Sequence, residues 1–314
     1  MHSLVLDFGN EKGSTPLLVS SRGMVRKTCH PGGAWFAEGS RTHLNVLKAL
    51  DLPTGSWRPW HEGMPMTVIS MNTTSVEEFL LEESFTWHDP DIDCELVISQ
   101  PSTDPALWAE YALGARRSYR KHGVECALDV DALRTGADTQ MFFAVIDRAG
   151  KMVGGVRAKG PLQSADDSHA VVEWAGQPAQ QAVSDMITDR VPFGILEMKS
   201  AWVTDDPDQN RCVAAALARS GFHMMALLDL QFCMATAAAY VLNRWRSSGG
   251  VIASIPAAPY PDERYQTKMM WWDRRDFVNH AEPEQVAKIL KETTQLTQEF
   301  HRQYETGALL FGEA

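Results

Sequence analysis

Between Met141 and Arg275 the chain alternates short apolar segments with helical ones, and that order admits few folds. Residues 141–147 and 151–159 flank Ala149-Gly150 and read as two strands joined by a turn. Residues 194–203 form a strand with one carboxylate, Glu197, among apolar side chains. An alanine-rich helix follows over 209–220, with Gly221 as its stop signal. The almost continuously apolar run 223–232 suits a strand buried on both faces. Residues 233–246 read as a second helix, which carries Tyr240 and closes at Gly249-Gly250. Strands at 251–255 and 268–273 complete the series. Upstream, 95–100 is a strand, and Asp104-Pro105 opens a helix with Asp as N-cap and Pro at the first helical position. Its Leu107, Trp108, Tyr111, Ala115 and Tyr119 recur at helical spacing. Strands interleaved with helices in this way imply an α/β (α+β) domain around a mixed sheet.

The ends of the chain read differently. Residues 1–90 are interrupted by Gly32-Gly33, Gly39, Pro53, Gly55, Pro59, Gly63 and Pro65, with a short helix at 42–50, a strand at 66–71 and another short helix from Ser75 between the breaks. This segment carries no chemistry motif and reads as an N-terminal extension or cover; Trp35, Trp57, Trp60 and Trp87 anchor it or line a groove. Residues 91–275 form the main domain. Over 276–314 a helix from Pro283 presents Val286, Ile289, Leu290, Leu296 and Phe300 as one apolar stripe suited to docking on that domain.

Composition removes several functions. A net charge of −11 argues against a general nucleic-acid binder, because phosphate contacts need concentrated Lys and Arg. The five cysteines are widely separated and lack a Cys-x-x-Cys pair, which fits free thiols in a reducing, cytoplasmic setting. No apolar run approaches the roughly 20 residues a membrane-spanning helix needs. His30 beside Cys29, His61 and His88 lack ligand spacing, so no metal site is expected. The absence of a Gly-x-Ser-x-Gly turn argues against the usual serine hydrolase.

The order strand, helix, two-strand hairpin, strand, helix, strand, helix, two strands resembles the GNAT superfamily of N-acyltransferases. Three local matches point to its acyl-homoserine-lactone synthase and N-acyl amino acid synthase branch. Ala115-Arg116-Arg117-Ser118-Tyr119-Arg120 resembles that branch's Arg- and Tyr-rich first helix. Gly154-Gly155-Val156-Arg157 through Pro161-Leu162 resembles its Gly-x-x-Arg-Leu third strand. Leu196-Glu197-Met198-Lys199-Ser200 resembles its Glu-x-Ser/Arg fourth strand. The resemblance implies a GNAT-like mixed, splayed central sheet flanked by helices. It also implies acyl transfer from a thioester, acyl-CoA or an acyl carrier protein, to a small-molecule amine.

Residue roles follow from the resemblance. The backbone of Ala201, Trp202 and Val203 would pair with the donor's pantetheine arm, and Gln209, Asn210 and Arg211 would lie at its phosphate-binding turn. Glu197 has two readings: a general base with a pKa raised by desolvation, or a structural partner of Arg157 on the neighbouring strand. Tyr240 is either the acid that protonates the leaving thiolate or an ordinary packed tyrosine.

Two departures from the pattern matter. The donor loop of the superfamily is glycine-rich, whereas residues 204–214 here hold no glycine and place Asp205, Asp206 and Asp208 where an anion would sit. The usual Gly-Phe after the second helix is replaced by Ser248-Gly249-Gly250. An alternative is therefore a non-catalytic, GNAT-like binding or regulatory protein with a degenerate donor loop. Arg116, Arg117, Arg120 and Lys121 are a solvated face or a docking patch for an acidic carrier. Met224-Met225, Phe232 and Met269-Met270-Trp271-Trp272 pack a core or line an acyl tunnel.

Overall fold

A computed structural model of the protein describes residues 79–311. The helix at 42–50, the strand at 66–71, the start of the helix at Ser75, Trp35, Trp57, Trp60, Cys29, His30 and His61 lie outside the described residues.

The elements run β1 (Phe85–Asp89), β2 (Cys94–Ser99), α1 (Pro105–Lys121), α2 (Val130–Thr135), β3 (Met141–Asp147) and β4 (Met152–Lys159). They continue with α3 (His169–Glu173), α4 (Gln180–Thr188), β5 (Ile195–Val203), α5 (Pro207–Leu227) and β6 (Phe232–Ala238). The chain then forms α6 (Leu242–Trp245), β7 (Val251–Ile252), β8 (Thr267–Asp273) and α7 (Pro283–Phe311). Among the described residues one sheet holds all eight strands, in the order β1-β2-β3-β4-β5-β6-β8-β7. Its pairs are antiparallel except β5 with β6, the one parallel ladder in the centre. This is the mixed sheet flanked by helices that the sequence implies. Trp87 lies on β1, where it packs against Phe143 and His223, so the sheet begins before residue 91.

Apolar side chains cover both faces. On one, Leu196, Met198, Met270 and Trp272 meet Leu217 and Phe222 of α5 and Ile289 and Leu296 of α7. The tail helix therefore docks its stripe on the domain, and Phe300 stacks on Phe79 at 5.6 Å. The other face divides. Phe142, Ala144 and Trp202 pack under Trp108, Tyr111 and Tyr119 of α1, while Ile195, Met234, Met269 and Trp271 pack under Trp174, Val183 and Ile187. The Met and Trp residues of β8 alternate between the two faces as core packing. Between the two clusters of the divided face runs a band of polar groups.

Two expected elements shift. The helix after β5 does not stop at Gly221; it continues to Leu227 and takes in His223, Met224 and Met225. Gly221 serves close packing, since a Cβ there would lie 2.9 Å from Cys233 Sγ on β6. The strand lies at Phe232–Ala238, starting at the last residue of the run read as a strand and continuing into the stretch 233–246 read as a helix. A run buried between sheet and helix loses its polar face, and periodicity then cannot separate strand from helix.

Candidate active site

β5 and β6 pair from Ile195↔Phe232 to Met198↔Ala235 and no further, although β5 runs on to Val203 and β6 to Ala238. Beyond that point β5 keeps only its β4 side, through Trp202↔Gly155 and Val203↔Gly154. Its register against β4 shifts between Gly155 and Arg157, and Ser200 takes a left-handed φ of 52°. An extra residue on one strand of this kind is a β-bulge, which re-aims the strand. The Tyr111 hydroxyl donates to the Ser200 carbonyl at 2.9 Å and holds the bulge from α1. Ala201, Trp202 and Val203 thus lie on the length of β5 that leaves its parallel neighbour.

The polar band crosses the sheet at this fork. Lys199 and Thr236 are the first residues past the last β5–β6 pair, and both are buried. Glu197 is 1% exposed and has both oxygens occupied: Lys199 Nζ donates to one at 3.2 Å, and the His169 backbone N–H donates to the other at 3.0 Å. His169 begins α3, whose N-cap Ser168 accepts from Ala170 N–H at 3.2 Å. Glu197 therefore ties β5 to the start of α3 and fixes what α3 delivers one turn later.

That residue is Glu173, 4% exposed. Its Oε1 accepts from the Thr236 hydroxyl at 2.9 Å, while Oε2 is buried with no hydrogen-bond partner among the described residues. Burial pushes its carboxyl up to about 8, against the opposing pull of Lys199 and of the Thr236 hydroxyl. Burial likewise lowers the Lys199 ammonium, with Glu197 and Glu173 pulling it back up. His169 Nε2 lies 4.0 Å from Glu173 Oε1 and 3.4 Å from the Tyr260 hydroxyl, on the loop between β7 and β8. Burial also raises the Tyr260 phenol, so it stays protonated and can donate. A carboxyl held near 8, with one oxygen unsatisfied beside a forking strand pair, can take up or give a proton at neutral pH.

Arg157 and Glu197 do not pair. Register sets Arg157 opposite Lys199 and Glu197 opposite Lys159, so two cations face each other across β4 and β5. Arg157 turns to Asp138 at 2.5 Å and Thr139 at 3.0 Å, and its Nη2 is buried without a hydrogen-bond partner among the described residues.

Tyr240 lies on the turn between β6 and α6, not on a helix, and is 60% exposed. The helix reading failed because the alanines of 235–239 belong to a strand pressed closely against α5 and to its exit turn. Gln209, Asn210 and Arg211 occupy the first turn of α5. Asn210 donates to the Thr204 carbonyl at 3.0 Å and accepts from Arg244 at 2.8 Å. Burial and the nearby charge of Arg211 lower Arg244, so two guanidiniums gather at this helix end. One of the loop acids, Asp205, is paired with Lys121 at 2.7 Å. Of the basic run on α1, Arg120 pairs with Glu125 at 2.8 Å.

Sequence reasoning missed Glu173, His169, Thr236 and Arg244. A Ser–His–x-x-x–Glu run, with a capping Ser and with His and acid one turn apart on a helical face, was the available signal for the first two. Among the described residues no group of three His, Cys, Asp or Glu side chains is placed to hold a metal ion, and no helix is long and apolar enough to cross a membrane.

No family model matches the chain. Among solved structures it is similar to FeeM, an N-acyl amino acid synthase from uncultured soil microbes (10% identity, TM-score 0.39, 63% of this chain and 93% of that one). It is also similar to BjaI, a CoA-dependent acyl-homoserine lactone synthase solved with SAM and isopentyl-CoA (14%, 0.40, 58% and 84%). A third is a phosphinothricin acetyltransferase from Sinorhizobium meliloti in complex with AcCoA (12%, 0.37, 58% and 88%). Sequence relatives are nearer. The uncharacterized proteins Rv1356c of Mycobacterium tuberculosis and Mb1391c of Mycobacterium bovis are each 53% identical over 248 residues, which span 79% of this chain and 94% of theirs. With that identity over nearly their whole length, the chain belongs to the family of these mycobacterial proteins.

Proposed function

We propose that the protein is an N-acyltransferase that moves an acyl group from a thioester, acyl-CoA or an acyl carrier protein, to a small-molecule amine. The observation that carries this reading is the fork: the parallel ladder stops at Met198↔Ala235, and buried proton-handling groups gather at that point. The pantetheine arm would lie along Ala201, Trp202 and Val203 as an added strand, with backbone N–H groups of β5 polarising the thioester carbonyl. Gln209, Asn210 and Arg211, joined by Arg244, would meet the donor's phosphate at the start of α5. Glu197, with both oxygens occupied, fits the orienting role better than that of base. Tyr240, on the turn that leaves β6, would protonate the departing thiolate.

A second reading, a non-catalytic binding or regulatory protein, draws on the glycine-free donor loop with its three aspartates. Thermal shift with coenzyme A, acetyl-CoA, a long-chain acyl-CoA and an acyl carrier protein separates the two. Stabilisation by a thioester, with release of free thiol when amines are added, is expected. Stabilisation without thiol release favours the binding protein, and no response to any donor overturns both uses of the fork.

A further inference from the structure

We propose that Glu173, on the short helix between β4 and β5, is the proton acceptor of the transfer, and that Glu197 and Lys199 are its positioning residues. The inference rests on the acyl-transfer reading and names the base within it. Three observations carry it. Glu173 meets Thr236, the first β6 residue past the end of the parallel ladder, so its carboxyl stands at the fork. Its second oxygen is buried and has no hydrogen-bond partner among the described residues, whereas both oxygens of Glu197 are occupied. His169 Nε2 lies 4.0 Å from Glu173 Oε1 and 3.4 Å from the hydroxyl of the half-buried Tyr260, so the carboxyl has polar side chains beside it.

The step balances. As the amine nitrogen bonds to the thioester carbonyl carbon, its N–H proton passes to Glu173 Oε2. Collapse of the tetrahedral adduct breaks the C–S bond, and the thiolate takes the Tyr240 proton. An amide and a free thiol result. Glu173 then releases its proton to solvent, and solvent returns one to the Tyr240 phenolate, which closes the proton balance. The charges facing Glu173 are Lys199 and Glu197 from β5 and His169 from its own helix, with Tyr260 from the β7–β8 loop; Arg157 acts on Lys199. Burial holds the carboxyl near 8, which suits a base that must take a proton from an amine and lose it again near neutral pH.

The test uses the full chain with carbon-13-labelled glutamate carboxyls, the Glu173 signal being identified by its loss in Glu173→Gln. That signal should titrate above pH 7 and move when acetyl-CoA is added, and Glu197→Gln should displace its midpoint. With a panel of primary amines and a long-chain acyl-CoA, Glu173→Gln should lower kcat about 100- to 10,000-fold. Its donor Kd should stay within about twofold. Glu197→Gln should lower kcat less. Titration of Glu173 near the ordinary 4.5 overturns the proposal, as does a Glu173→Gln protein whose kcat stays within about threefold of the wild type. If the wild type binds no thioester donor, the acyl-transfer reading itself falls, an outcome separate from a donor-binding protein whose Glu173 titrates normally.

Discussion

The two faces of the sheet both bury charge, and they treat it in opposite ways. Beneath α5 and α7, Arg219 bridges Asp89 at 2.6 Å and Glu292 at 2.8 Å, Lys288 adds a second cation to Asp89, and His223 donates to or accepts from Glu292 at 2.9 Å. Burial alone would raise Asp89 and Glu292. Lys288 and Arg219 outweigh it at the first, and His223 and Arg219 at the second, so both carboxyls end below their ordinary range. On the other face Lys199 lies on Glu197 and Arg157 on Asp138, and the pull of Lys199 on Glu173 does not match the cost of burial. Glu173 is left under-compensated and is pushed up to about 8. A network in which each charge has its counter-charge locks helices to a sheet. A carboxyl left short of partners at a strand fork has a proton to trade. Burial does not distinguish the two; the assignment of partners does.

Removing the bridge breaks the first face most severely. Arg219→Ala leaves Asp89 and Glu292 buried without their shared cation, and should cost about 3–5 kcal/mol in urea unfolding. Fork chemistry should persist in whatever fraction stays folded, as thiol release per folded molecule would show. Equal loss of activity per folded molecule would mean that the two faces are not independent.

The next effect is in the pH dependence of stability. Glu173 has a raised folded pKa, so between about 4.5 and 8 the folded state holds a proton that the unfolded chain has lost. Stability therefore falls as pH rises through that window, by about 1.4 kcal/mol per unit from this group alone. Asp89 and Glu292 run the other way: their folded pKa values are depressed, and their contribution is lost as pH falls through them. His223, lowered by burial against the pull of Glu292, likewise opposes folding as pH drops below its ordinary 6.5. Glu173→Gln should flatten the alkaline limb by about 2–3 kcal/mol between pH 6 and 8 and leave the acid limb in place, as urea midpoints across pH would record. An unchanged alkaline limb would place Glu173 in the same class as Asp89.

Much of this arrangement is legible in the residues. The hairpin of β3 and β4, the Asp104-capped α1 and the α7 stripe announce themselves by turn, cap and period. The carboxylate strand is placed within a residue of its bounds, because alternation survives in a strand with a polar seam. Ala235, Ala237 and Ala238 are good helix formers, yet they lie in β6, buried in the core cluster that α5 helps to form. Tyr240 moved with them. Glu173 escaped notice because a five-residue helix shows no period, and an acid among Ala, Val and Trp looks like a surface position. The Arg157–Glu197 pairing failed for a subtler reason. Neighbouring strands bring them close, but register decides which residues face, and register is not written in either strand alone.

Close packing behind β6 offers a third and smaller test. Gly221→Ala would set a Cβ 2.9 Å from Cys233 Sγ, and separating α5 from β6 to make room should cost about 1–3 kcal/mol. Because that contact lies on the locked face, the Glu173 titration should stay where it is. A shift would show that the fork is tuned by how tightly α5 presses on β6.

The smallest expected effect tests the fork most directly. The Thr236 hydroxyl donates to Glu173 Oε1 and so favours the charged carboxylate. Thr236→Val keeps the shape and removes the donor, so the carboxyl should rise further. A net hydrogen bond worth about 1 kcal/mol corresponds to roughly 0.7 of a pH unit in the titration midpoint. Stability at pH 6 should barely change, because Glu173 is already protonated there, while at pH 9 the variant should be the weaker protein. On the opposite face the matching change is Thr293→Val, which deletes the 3.0 Å contact to His223 Nδ1. It should leave the Glu173 midpoint untouched. If Thr236→Val leaves the midpoint still and Thr293→Val moves it, the proton held at Glu173 answers to the helical face, and the division of labour between the two faces is wrong.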